Sequence, residues 1–221
     1  MKTPMKTDQT KSPAKRDRIL DAAEHLFAER GFEGVTLRQI ASKAGVDVAL
    51  ASYHFGKKDA LFTAVFQRRA GELNSRRLAA LADAKRHAAP KTVSVEAIVS
   101  AFLRPLEDVQ REGDSGWQDY LALIAYVNNH TYWGQRLMSS AFDQLVTEFI
   151  DALKTALPHA PDDKIYWCYH NLSGALTLTL ARTGRIDRLS GGLCRSDDYK
   201  SAYDQMIPFM AAGFHDVCQP G

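Results

Sequence analysis

A chain of 221 residues has room for one medium domain or two small ones, and its 45% hydrophobic and 24% charged residues are ordinary for a globular protein. No apolar run reaches the roughly 18 residues of a membrane-spanning helix. Three cysteines without a C-x-x-C spacing suggest neither a disulfide framework nor a zinc ribbon. The formal charge of +2 is unevenly spread, because the first 18 residues carry six bases (Lys2, Lys6, Lys11, Lys15, Arg16, Arg18) against Asp8 and Asp17. Residues 1–14 therefore read as a flexible basic arm, which suits a phosphate backbone or a solvated tail equally well. The stretch Met1 to Pro13 lacks the apolar core of a secretory signal, and the expected compartment is the cytoplasm.

Residues 15–62 read as a small helical domain. Ile19, Ala22, Ala23, Leu26 and Phe27 fall on one stripe at helical spacing, and Gly31 stops that helix. A second helix starts at Thr36, which with Gln39 makes a capping box, while Val35 and Ile40 form a hydrophobic staple. It runs to Ala44 and ends at Gly45. Asp47 can cap a third short helix, Val48 to Phe55. Two short helices joined by a glycine turn, with the small Ala41 at the crossing and Ile40, Ala44, Val46 and Ala51 as inner pins, form a helix-turn-helix pattern. In such a motif the second helix enters the major groove and the first crosses the backbone.

Residues 63–217 read as a larger helical domain. A long helix from Lys57 to Lys85 (about 40 Å at 1.5 Å per residue) has the reach to join both domains. A break at His87–Thr92 follows, then a helix from Val95 to Gln110 kinked at Pro105. Further helices are expected at Trp117–Asn129, Trp133–Leu157, Pro161–Thr183 and Asp197–Asp216. Pro161 should sit at the first helical position, Gly184 should end the fifth of these long helices, and Pro208 should interrupt the last. Arg185–Cys194 reads as a loop. No stretch alternates like a strand, so the fold class is all-α with about nine helices.

The stretch Arg16–Leu61 resembles the DNA-binding domain of the TetR family of bacterial repressors. The resemblance rests on Ile19-Leu20-Asp21-Ala22-Ala23, Leu26-Phe27-Ala28, Arg30-Gly31-Phe32, Thr36-Leu37-Arg38-Gln39-Ile40-Ala41, Ala44-Gly45-Val46 and Ser52-Tyr53-His54-Phe55-Gly56-Lys57-Lys58-Asp59-Ala60-Leu61. It implies that residues 63–217 are a ligand-sensing and dimerisation domain, with a homodimer packed through helices at about 161–183 and 197–216, a double-stranded DNA operator, and release by a small-molecule effector. Tyr166–Gly192 resembles more weakly a subgroup with PsrA-like C-terminal domains, which implies a fatty acid or acyl thioester. The sequence departs from the family at Asp47, where Ser or Thr is usual; an anionic cap repels a phosphate. Leu50 and Ala51 leave the recognition helix apolar, with thymine methyls as one target.

The expected DNA-binding set is then Thr36, Arg38, Asp47, Val48, Leu50, Ala51, Ser52, Tyr53, His54, Lys57 and Lys58. Thr36 and Arg38 start the helix that crosses the backbone, although Thr36 serves equally well as a cap. Lys58 and the backbone N–H groups near Lys57 should meet phosphates, while Tyr53 and His54 carry donors at the end of the recognition helix. For the effector, polar residues within apolar stripes give a candidate set of Trp117, Tyr120, Ile124, Val127, Asn128, Trp133, His170, Asn171, Gly174 and Thr177. Arg182 or Arg185 is available should the ligand be a carboxylate. No cofactor or metal site is expected. A helical enzyme is the rival reading, but no G-x-S-x-G, P-loop, H-E-x-x-H or paired-carboxylate motif occurs. A ligand-independent DNA-binding protein is the other rival, against which stands a second domain larger than dimerisation needs.

Overall fold

The computed structural model describes residues 11–113 and 115–219, all of whose regular structure is helical. By internal contacts the chain divides into two compact units, Met1–Arg68 and Arg69–Gly221. Among the described residues no helix is long and apolar enough to cross a membrane.

The first unit holds α1 (Lys11–Arg30), α2 (Leu37–Ala44), α3 (Val48–Phe55) and the start of α4 (Lys58–Ala88). Residues 1–10 of the expected arm lie outside the described residues, and Lys11–Ala14 already belong to α1. The apolar stripe of α1 is buried, as are Ile40, Ala41 and Ala51 and the α4 residues Leu61, Phe62 and Val65, and α1 packs on α2 and α3. Phe27, Phe32 and Phe62 form an aromatic triangle, with Phe62 edge-on to both at 4.9 and 5.2 Å. The connection from α1 to α2 turns at Gly31, whose positive φ of 67° lets its N–H reach the Phe27 carbonyl at 2.9 Å. Arg68 on α4 clamps α1 from outside, with Nη2 2.5 Å from the buried Glu24 and Nη1 2.6 Å from Asp21.

In the second unit the remainder of α4 is joined by α5 (Val95–Arg111), α6 (Ser115–Asn128), α7 (Thr131–Trp133), α8 (Ser139–Ala156), α9 (Asp162–Ala181), α10 (Arg185–Leu189) and α11 (Tyr199–Val217). α5 packs on α11 and α8, and α9 packs on α6, α8 and α11. The inward stripe of α9 is the expected one, with Ile165, Cys168, Leu172, Leu176 and Leu180 all buried. One wide π-turn, Gly134–Met138, separates α7 from α8. There Gly134 passes so close to α6 that a Cβ would lie 3.1 Å from the Val127 carbonyl.

Four local expectations are corrected. Pro161 is the N-cap residue of α9 rather than its first helical residue. α9 ends at Arg182, which takes the left-handed conformation (φ 46°) with its guanidinium over the Tyr199 ring. Gly184 instead opens α10 within the stretch read as a loop. α11 runs unbroken through Pro208, because burial of Tyr203, Ala211 and Phe214 offsets one lost backbone hydrogen bond.

Candidate nucleic-acid interface and cavity

The turn between α2 and α3 is fixed by three devices. At the start of α2 the capping box closes in both directions: Gln39 N–H donates to Thr36 Oγ1 at 3.3 Å, and Thr36 N–H donates to Gln39 Oε1 at 2.8 Å. At its end Gly45 adopts φ 63°, and the Val46 N–H returns to the Ala41 carbonyl at 3.0 Å. Asp47 Oδ1 then accepts from the Ala49 N–H at 2.7 Å and starts α3. Arg18 of α1 holds the turn from outside through the Gly45 carbonyl at 3.2 Å, a contact 27 residues apart that no local pattern announces.

This geometry sorts the expected contact residues. Val48, Ser52 and Tyr53 face solvent on α3, joined by Ala49, which the sequence reading omits; Tyr53 is 84% exposed, so it does not pack on α4. Arg38, Asp47 and Lys57 are also exposed, and Leu50 is half-buried. Ala51 is corrected: it is fully buried (0% exposed), one helical face away from Tyr53, and cannot touch a base. His54 is half-buried, and its Nε2 is turned into the protein with no hydrogen-bond partner. The Thr36 hydroxyl also donates to Gln39 Oε1 at 2.9 Å, so its donor and acceptor functions both serve the cap. Lys58 differs most from expectation. Its Nζ donates to the carbonyls of Phe32 and Val35, each at 3.0 Å, and lies 4.0 Å from the Phe32 ring centroid.

The second unit contains a cavity of about 40 Å³ between α4, α5, α6, α8 and α9. That holds a few waters at roughly 10–15 Å³ each. Of the expected ligand set it brings together Ile124, Asn128 and Thr177, with Asn128 Nδ2 donating to Thr177 Oγ1 at 2.6 Å. Trp117, Tyr120, Val127 and Trp133 are buried but do not line it. His170, Asn171 and Gly174 are corrected: they occupy the outer face of α9, exposed beside Trp167 and Leu178, opposite the cavity. Neither Arg182 nor Arg185 reaches the cavity. Its polar lining instead includes Arg77, Tyr169 and Ser173, which sequence reasoning missed, and the rest is apolar, with Phe102, Phe142 and Leu145 among it.

Comparison with known proteins agrees with this architecture. The profile described as bacterial regulatory proteins of the tetR family matches residues 19–65, and that described as the tetracyclin repressor-like C-terminal domain matches residues 100–213, more than half of the chain. The chain belongs to the TetR family. A TetR-family relative from Corynebacterium efficiens, the HTH-type transcriptional repressor AcnR, is 34% identical over 96 residues, 43% of each chain, so the match spans less than half of that relative. A TetR-like transcriptional regulator from Rhodococcus sp. RHA1 shares the fold at TM-score 0.61 and 22% identity, covering 90% of this chain and 93% of its own. A protein from Saccharomonospora viridis described as a transcriptional regulator, solved in complex with choline, superposes at TM-score 0.54 and 23% identity over 89% of this chain and 96% of its own. In this TetR-family chain the C-terminal match takes in every cavity-lining residue except Arg77, which α4 supplies.

Proposed function

We propose that the chain is a DNA-binding transcriptional regulator, a repressor that holds a palindromic operator as a homodimer and leaves it when a small, largely apolar ligand binds. The observation that carries this reading is the outer face of α3. Val48, Ala49, Ser52 and Tyr53 stand free on a short helix whose start, crossing turn and end are all pinned from behind. Arg38 and Lys57 flank that face with positive charge suited to phosphates. Family membership supports the same reading, and action on DNA implies a cytoplasmic location. Lys58 acts in this scheme by shaping the α1–α2 turn.

The dimer reading is supported by apolar side chains left on the outside of α9 and α11. Trp167, Leu178 and Phe209 are 63%, 65% and 75% exposed, on the two helices expected to meet their copies. The effector reading is supported by the cavity. The choline complex of the Saccharomonospora viridis protein favours a small-molecule effector as such, whereas choline itself, a cation, would meet Arg77 here.

The test is gel-shift binding of the purified protein to the DNA upstream of its own gene, with footprinting, with and without fatty acids and acyl thioesters. Protection of two inverted half-sites about 34–36 Å apart, or a multiple of that spacing, is the expected result. Tight binding of a monomer to one unrepeated site would sink the proposal.

A further inference from the structure

Arg77 is the unusual charge in this protein. It is 4% exposed, and among the described residues no carboxylate lies within ion-pair distance of it. Its neighbour Arg76, one residue away on the outer face of α4, is paired with Glu72 and Glu112. Arg77 by contrast has one hydrogen bond, Nε to the Phe102 carbonyl at 2.8 Å, and rests 4.0 Å from the Phe102 ring centroid. The titratable groups that bear on it are the phenols of Tyr169, Tyr203 and Tyr120, which carry no charge at neutral pH. Burial pulls Arg77 down to about 10, which still leaves it a cation at neutral pH. A buried cation without an anionic partner is costly to maintain in a stable fold. Arg77 lines the cavity, and among the described residues its two terminal guanidinium nitrogens take no hydrogen-bond partner.

We propose that the cavity binds a monocarboxylate, with Arg77 gripping the carboxylate and the apolar lining holding the rest of the molecule. A guanidinium presents two parallel N–H donors that match the two oxygens of a carboxylate. The charge count favours one negative charge, since among the described residues no second cation lines the cavity. The Tyr169 and Ser173 hydroxyls on α9 lie in the same lining and can donate to the same oxygens. Phe142, Leu145 and Leu176, together with Phe102 against the guanidinium, leave apolar lining for a hydrocarbon body of a few carbons. A neutral acyl thioester would leave Arg77 as unpaired as it is without ligand. The inference rests on the effector half of the function proposed above and narrows it to one chemical class.

The experiment is calorimetric titration of the full chain with straight-chain carboxylates from formate to butyrate, each run beside its primary amide. Wild-type protein should bind at least one acid about 10–100-fold more tightly than the matching amide, the range a charge-assisted pair supplies. Arg77→Met keeps the apolar volume of the stem and should lose that preference while its helical circular dichroism is retained. Arg77→Lys, which keeps the charge but not the fork, should fall between the two. Equal affinity for acid and amide in the wild type, no binding of any acid at millimolar concentration, or an acid preference surviving in folded Arg77→Met would each overturn the proposal. Gel shifts without ligand keep the two readings apart. Lost DNA binding with intact acid selectivity sinks the regulator and spares the cavity chemistry, and intact DNA binding without acid selectivity does the reverse.

Discussion

Lys58 sits on Phe32: its ammonium is 4.0 Å from the ring centroid and donates to the Phe32 carbonyl at 3.0 Å, with the Val35 carbonyl taking a second bond. A residue at the end of the recognition segment thus ties down the turn between α1 and α2. Replacing it by Met keeps the stem but removes both hydrogen bonds. Lys58→Met should cost about 1–3 kcal/mol of stability, read as a lower thermal midpoint by circular dichroism. Operator binding should weaken, but the slope of log affinity against log salt should change by less than the roughly one unit expected of a phosphate contact. An unchanged midpoint with a full-unit change in slope would return Lys58 to the DNA-contacting set.

Tyr53 makes the opposite prediction. At 84% exposure its side chain contributes little to the fold, so Tyr53→Ala should move stability by no more than about 0.5 kcal/mol. If α3 reads DNA, the same variant should lose about 1–3 kcal/mol of specific binding while non-specific binding persists. Tyr53→Phe separates the hydroxyl from the ring. Full operator affinity in Tyr53→Ala, measured at fixed salt, would move the reading surface off this face of α3.

The contrast between these residues shows what a sequence reveals. Features closed within a few residues were legible: the Thr36–Gln39 box, the Gly45 turn, the Asp47 cap and the inward stripe of α9 all appear as read. Features joined across the chain were not. Lys58 is 26 residues from the carbonyl it holds, and Arg77 is 25 from its own. Arg77 directly follows Arg76, and nothing in their spacing tells which of the two is buried. On α9 the difficulty was of another kind, because apolar residues occur on both sides of the helix. Periodicity finds the Leu172–Leu176–Leu180 stripe but does not say whether His170 and Asn171 border a cavity or an outer surface.

That outer surface gives the third prediction. Trp167 and Leu178 lie eleven residues apart, three helical turns, on the exposed side of α9, with Gly174 between them. If two copies meet there, Leu178→Arg puts a charge at the centre of the contact. The variant should run as a monomer in size-exclusion chromatography with light scattering, and its operator affinity should fall by 10²-fold or more, since paired half-sites gain about that much from linkage. Because the position is exposed, the monomer itself should keep its helix content. A Leu178→Arg protein that remains dimeric with full operator affinity would place the interface elsewhere.

The inner side of α9 gives the fourth. Cys168 on α9 and Cys218, just past the end of α11, are both buried and lie beside one another, while Cys194 is exposed. Burial pushes the Cys168 thiol up to about 11 and raises Cys218 as well. The thiolate is the reactive form, so at pH 8 the Cys168 thiol is nearly all protonated, and both inner thiols are covered. A colorimetric disulfide reagent should therefore modify one thiol rapidly in the native protein and all three only after denaturation. Cys194→Ser should remove the fast phase without altering the slow one. Raising the pH toward 11 should accelerate the slow phase more steeply than it does for a free thiol of ordinary acidity, because Cys168 gains thiolate where the free thiol is already ionised. Two fast thiols at pH 8 in folded protein would mean that the α9–α11 packing opens on the timescale of the reagent, and the burial assigned to Cys168 would then be wrong.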